Sequence, residues 1–208
     1  MNITFIIILL ATISMSYYGF NNPTFFNRYK FNVGAVQKGD YVRLVSSGFL
    51  HANWEHLIFN MISLYFFQDV IIGSMGNLMF LLIYFGSMLL GSVFSLYIYK
   101  KQPYYSTIGA SGAVSGIIFA AIALYPTALS VNFLPGWLFG ALYFGYSVFK
   151  MFNPQQDDNL GHAAHLGGAL FGLAVVIVYA PEVVIHHAFY LGVMALPLGY
   201  MGVRLLKK

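Results

Sequence analysis

Gly161-His162-Ala163-Ala164-His165-Leu166-Gly167-Gly168 opens one apolar stretch of this chain, and Gly109-Ala110-Ser111-Gly112 lies near the start of another. Read together, they decide the fold. Each sets a polar, proton-handling side chain among glycines, in a run apolar enough to cross a membrane. Polar groups at bilayer depth are costly, so they tend to be functional. A serine beside a general base is the minimum apparatus for acyl transfer. The two stretches are far apart in sequence, so only a fold that packs their helices together can join them.

Working outward, the composition agrees with a membrane setting. Of 208 residues, 59% are hydrophobic and 8% charged, against about 25% charged in a soluble domain. The chain therefore reads as all-α, a polytopic transmembrane helical bundle. It has no cysteine, which excludes disulfides and thiolate metal sites. A net charge of +4, with no basic run beyond two residues, gives no support to nucleic-acid binding. About 20 apolar residues cross the hydrocarbon core as a helix. Spans are expected at 3–19, 54–72, 76–99, 107–125, 132–150 and 161–180, with a seventh at 183–203. Asn2 to Tyr17 lacks a basic n-region and a small-x-small cleavage site, so it is read as an uncleaved first span. Residues 20–53 hold Arg28, Lys30, Lys38, Asp40 and Arg43 among aromatics, and read as a membrane-associated loop domain.

Three small-xxx-small pairs predict close helix packing: Gly112/Gly116, Gly136/Gly140 and Gly168/Gly172. The first and third lie within a turn of Ser111 and His165, so their packing would bring those side chains within hydrogen-bond reach. A lone serine in a membrane helix is usually structural, bonding back to a carbonyl, and a lone histidine has the same bland reading. Together they suit a nucleophile and a neutral imidazole base. No carboxylate is near either in sequence, so a dyad is expected rather than a triad. Ser111 follows a loop containing Pro103, so helix N-terminal amides fall near its oxygen, where they favour an oxyanion. His56 and Asn60 share a face of the second span and both can donate hydrogen bonds. They are further candidates for binding an oxyanion.

A metal centre is the rival reading of six histidines. His162 and His165 lack the i, i+4 spacing and glutamate of a zincin helix. His51 and His56 enclose Glu55 with one residue too many for the inverted pattern. No metal and no cofactor is expected.

With these residues in hand, the chain resembles the rhomboid intramembrane serine proteases from Gly39 through Gly172, and its first span falls where the family's does. The G-x-S-G motif stands as Gly109 to Gly112. The H-x-x-x-N of the second span stands as His56 and Asn60. The A-H-x-x-G-x-x-x-G of the sixth stands as Ala164, His165, Gly168 and Gly172. The resemblance implies Ser111 as nucleophile, His165 as base, and an oxyanion hole from His56, Asn60 and the Ser111 amide. It implies a six-helix core over 1–180; within 181–208, the uncharged run 183–203 is itself long enough to add a seventh span before a basic tail, with an interfacial helix as the alternative. It also implies single-span membrane proteins as substrates, entering from the bilayer between the second and fifth spans. Trp137, Phe139 and Phe144 are gate candidates on the fifth span, with lipid-facing aromatics as the commoner case. His162, His51, Gly109 and Gly112 are candidates for lining the cavity, His51 at its mouth. His186 and His187 are expected at an interface without chemistry.

Two positions depart from the family pattern. Val42 precedes Arg43 where many members have tryptophan, and Ser115 stands one turn after Ser111 where many have an aromatic that packs on the base. A proteolytically silent rhomboid-like membrane binding or chaperone protein is the alternative function, and a transporter a third, although no inverted repeat is visible. All ten basic residues are expected on the active-site face. The positive-inside bias makes that face cytoplasmic, whereas resemblance to bacterial rhomboids makes it extracytoplasmic. The family orientation is preferred, in a bacterial cytoplasmic membrane.

Overall fold

The computed structural model describes residues 2–153 and 161–207; Lys208, the end of the expected basic tail, lies outside them. Ten α-helices are present among these residues: α1 (Ile3–Asn21), α2 (Pro23–Tyr29), α3 (Val33–Gln37), α4 (Arg43–Ser46), α5 (Trp54–Ile98), α6 (Ser111–Leu124), α7 (Gly136–Phe152), α8 (His162–Tyr179), α9 (Pro181–His186) and α10 (Ala188–Leu206). Four of them, α1, α5, α8 and α10, are long and apolar enough to cross a membrane. The fold is an all-α helical membrane bundle, as the composition requires.

A straight helix of 45 residues would be about 68 Å long, more than twice the hydrocarbon core. In α5 the chain instead turns at Gly76, whose φ of 84° and ψ of 170° are not helical. The two halves form the second and third spans. Their outer ends return to the same side, where Gln37 Nε2 donates to the Lys100 carbonyl at 2.8 Å and Trp54 packs on Phe20.

Three expected boundaries move. The fourth span starts as a helix at Ser111, not 107, because Gly109 has a φ of 116° that ends any helical approach. The fifth starts at Gly136, not 132. Asn132 and Phe133 both have positive φ and turn the chain between two-residue strands β3 (Ser130–Val131) and β4 (Leu134–Pro135). The C-terminal helix runs over Ala188–Leu206, after the short α9, with Pro197 accommodated inside it.

At the centre, α5, α6 and α8 all pack against one another. A Cβ on Gly168 would overlap the Gly112 carbonyl oxygen, and one on Gly172 would overlap that of Gly116. Bare backbone against bare backbone sets this separation, as the glycine pairs predicted. On the outside α10 lies along α7 and runs parallel to it. Trp137 meets Tyr190 at one end, a side chain on Gly140 would strike Met194 in the middle, and Arg204 covers Phe152 at the other. Lys150 and Arg204 therefore share one end of the bundle.

Candidate active site

The loop between α1 and α5 supports the site through its own ion pairs and hydrogen bonds. Arg43 is 9% exposed. Its Nη1 donates to the carbonyls of Asn27 and Lys30, and its Nε to Asp40. Arg43, with Arg28 beside it, holds the Asp40 carboxyl below the usual carboxylate range. Val42 and its neighbour Tyr41 project outward, 54% and 67% exposed. Strand β1 (Phe31–Asn32) pairs antiparallel with β2 (Ser106–Thr107), which fastens this loop to the segment leading into Ser111. The Asn32 side chain reinforces the join by donating to the Pro103 and Tyr105 carbonyls.

The turn before Ser111 is pinned at two successive amides. Gly109 donates to the Ser47 carbonyl at 3.0 Å, and Ala110 donates to His51 Nε2 at 3.2 Å. Since Nε2 accepts, Nδ1 carries the proton and donates to Ser16 Oγ at 2.8 Å. Ser16 in turn donates to the Phe49 carbonyl. His51 is fully buried, so it does not line the mouth of the cavity; it ties α1 to the turn instead. Burial pushes its imidazole down to about 3, with the nearby His56 a smaller cause.

Ser111 is the first residue of α6, so its amide is among those without an intrahelical carbonyl partner. Its Oγ lies 2.7 Å from His165 Nε2 on α8. The two motifs, 54 residues apart, meet as their glycine spacing predicted. Only glycine fits at 109: beyond its positive φ, a Cβ there would fall 2.6 Å from the His56 ring and 3.6 Å from Ser111 Oγ. That short chain of distances brings His56 to the serine. Asn60, one turn below and 3% exposed, donates to the His56 carbonyl at 2.8 Å, which leaves its second amide hydrogen. His162 is buried with its ring edge-on to His165, centroids 5.9 Å apart.

Two cavities lie along the Thr107–Ile108 segment that leads to the serine, and the smaller is lined by Ser111 itself. One of about 20 Å³, lined by Ser47, Ser92, Thr107, Gly109, Ser111 and Gly112, is large enough for a single water. The other, about 450 Å³, is bordered by Phe26, Lys30, Asn53, His56 and Thr107. Among the described residues no three metal-binding side chains converge.

Sequence reasoning missed one neighbour. Ser115 Oγ is 2.8 Å from the Tyr143 hydroxyl on α7, and the Tyr143 ring faces His165 with centroids 6.2 Å apart. One turn on, Tyr146 meets His162 edge-on at 5.4 Å. The signal was present as matched i, i+3 pairs, Tyr143/Tyr146 and His162/His165, but nothing in one sequence says which faces meet. Of the gate candidates, Phe144 is buried and stacked on Phe119, so it faces the bundle rather than lipid. Phe139 leans on Tyr143 and Trp137 on Tyr190.

Comparison with known proteins agrees with the geometry. A family model described as the Rhomboid domain matches residues 38–182. The chain is 30% identical over 169 residues to RHOMBOID-like protein 12, mitochondrial, of Arabidopsis thaliana, covering 72% of this chain and 50% of that protein. It is 30% identical over 143 residues to the rhomboid-named protein YdcA of Bacillus subtilis, covering 68% of each. It is 32% identical over 138 residues to the presenilin-associated rhomboid-like protein, mitochondrial, of Bos taurus, covering 62% of this chain and 36% of that one. The chain thus spans half or less of the plant and bovine relatives. With more than half of its length matched by the family model, and with the family's three motifs gathered around one serine, the chain belongs to the rhomboid family.

Proposed function

We propose that the chain is an intramembrane serine endopeptidase that hydrolyses peptide bonds of single-span membrane proteins. The observation that carries this reading is the 2.7 Å contact between Ser111 Oγ and His165 Nε2 at the start of a helix. In the proposed reaction, Nε2 takes the serine proton as Oγ bonds to the scissile carbonyl carbon. The negative oxygen so formed is held by the Ser111 amide, His56 and the second amide hydrogen of Asn60. The imidazolium then protonates the leaving amine, and the C–N bond breaks to leave an acyl-serine. A water then gives a proton to the same nitrogen as its oxygen adds to the ester carbon; the bond from that carbon to Oγ breaks, Oγ takes the proton back from the imidazolium, and the acid and free serine are released. The 20 Å³ cavity beside Ser111 offers a place to hold that water.

Residues 1–180 would form the catalytic core, with α10 as a seventh span that ends on the active-site face. The parallel run of α7 and α10 supports that arrangement. The site would open to the extracytoplasmic side of a bacterial cytoplasmic membrane, a reading that rests on resemblance to bacterial rhomboids.

A fluorophosphonate probe should label Ser111 in detergent, and the chain should cut a single-span substrate in liposomes. Ser111→Ala should lose both while still inserting. Cleavage by Ser111→Ala at the wild-type rate would overturn the reading. Asn60→Ala should lower kcat by on the order of 10²–10³ with KM little changed; a raised KM at unchanged kcat would remove Asn60 from the oxyanion hole.

A further inference from the structure

Position 115 is one turn after the nucleophile, and its side chain meets Tyr143 on α7. Its serine is 4% exposed and too small to support an imidazole alone. The space is filled from another helix. Tyr143 reaches across from α7, its hydroxyl fixed by Ser115 at 2.8 Å and its ring set between His165 at 6.2 Å and Phe119 at 5.2 Å. Phe139, one turn earlier on α7, backs the ring at 5.9 Å. The phenol is thus held at its tip by a hydrogen bond and along its faces by aromatic contacts. A ring held in this way is a rigid wall, and offset aromatic pairs at these separations are attractive beyond their buried area.

We infer that Tyr143 is the positioning residue for His165, supplying from α7 the aromatic support that α6 lacks at Ser115. The inference rests on the proteolytic reading of the Ser111–His165 pair. Its consequence is a division of labour among helices. Nucleophile and base ride on α6 and α8, which glycine contact locks together, while the group that orients the base rides on α7. Proper alignment of the imidazole then depends on α7 being seated against α6. Tyr146 against His162 repeats the contact one turn away, so α7 meets α8 through two tyrosine–histidine pairs in register.

The test is the rate at which a fluorophosphonate labels Ser111 in detergent, because a small probe needs the base but no substrate helix. Tyr143→Ala should label about threefold to tenfold more slowly, the rate equivalent of one aromatic pair. Tyr143→Phe keeps the ring and should label close to wild type. The swap Ser115→Tyr/Tyr143→Ala, which returns the ring from α6, should recover most of the lost rate. A purely structural role predicts no such recovery. With a peptide substrate the loss should fall on kcat rather than KM. Labelling of Tyr143→Ala at the wild-type rate overturns the inference. So does a swap variant that melts like wild type yet labels as slowly as Tyr143→Ala. If Tyr143→Ala does not insert, Tyr143→Leu replaces it, and wild-type labelling by that variant is equally fatal. A wild-type chain that is not labelled at Ser111 overturns the proteolytic reading itself, which separates the two failures.

Discussion

The pair α6–α8 and the pair α7–α10 use the same residue type for opposite ends. Between α6 and α8, glycines lie backbone to backbone, with no room for even a methyl group at Gly168 or Gly172. Twelve of the fourteen residues of α6 are buried. Along α10, Gly192, Gly199 and Gly202 face open space, and only Met194 and Met201 are buried. The first pair is fixed by hard contact, the second by flexible side chains resting on one another. Catalytic geometry must be held to about 0.5 Å. The rigid pair is where Ser111 and His165 sit, and the yielding pair carries neither residue of the proposed dyad.

The sharpest break in this contrast is chemical. His165→Ala should cost turnover on the order of 10⁶, as loss of one member of a nucleophile–base unit does, measured as single-turnover cleavage in liposomes. Next comes the contact itself. Gly168→Leu drives a side chain into the Gly112 carbonyl and should destabilise by about 3 kcal/mol or abolish insertion, read as a fall in melting temperature in detergent. A smaller effect is expected where the two pairs adjoin. Ser115→Tyr alone would compete with Tyr143 for one space and should cost about 1–3 kcal/mol; a gain in melting temperature would mean that the pocket is looser than the 2.8 Å contact implies. Smallest of all, Gly192→Ala on α10 should stay within about 0.5 kcal/mol of wild type. A large loss there would erase the contrast and make the outer pair as tightly fitted as the inner one.

Much of this was legible in the chain because it was written locally. Ser111, His165 and the glycines beside them carry both the proposed reacting groups and the reason their helices touch, so the contact between the two side chains could be read from spacing. His56 and Asn60 were legible as one face of one helix. What escaped the sequence depends on partners from elsewhere. His51 looked like a cavity residue, yet it is buried between Ser16 of α1 and the Ala110 amide, and neither partner is near it in sequence. Tyr143 could not be assigned, since its role follows from how α7 is rotated. The start of α6 was misread because hydropathy continues through 107–110, while the positive φ of Gly109 makes that stretch a turn.

The shortness of α6 turns the molecule into a ruler. Fourteen residues reach about 21 Å, against about 30 Å of hydrocarbon. If Leu124 marks one boundary, Ser111 stands about 9 Å inside the other. Measured along a helical substrate at about 1.5 Å per residue, that depth is some six residues. Under the proposed function, the bond to be cut is therefore chosen first by its distance from the membrane surface, and the length of one helix is the gauge.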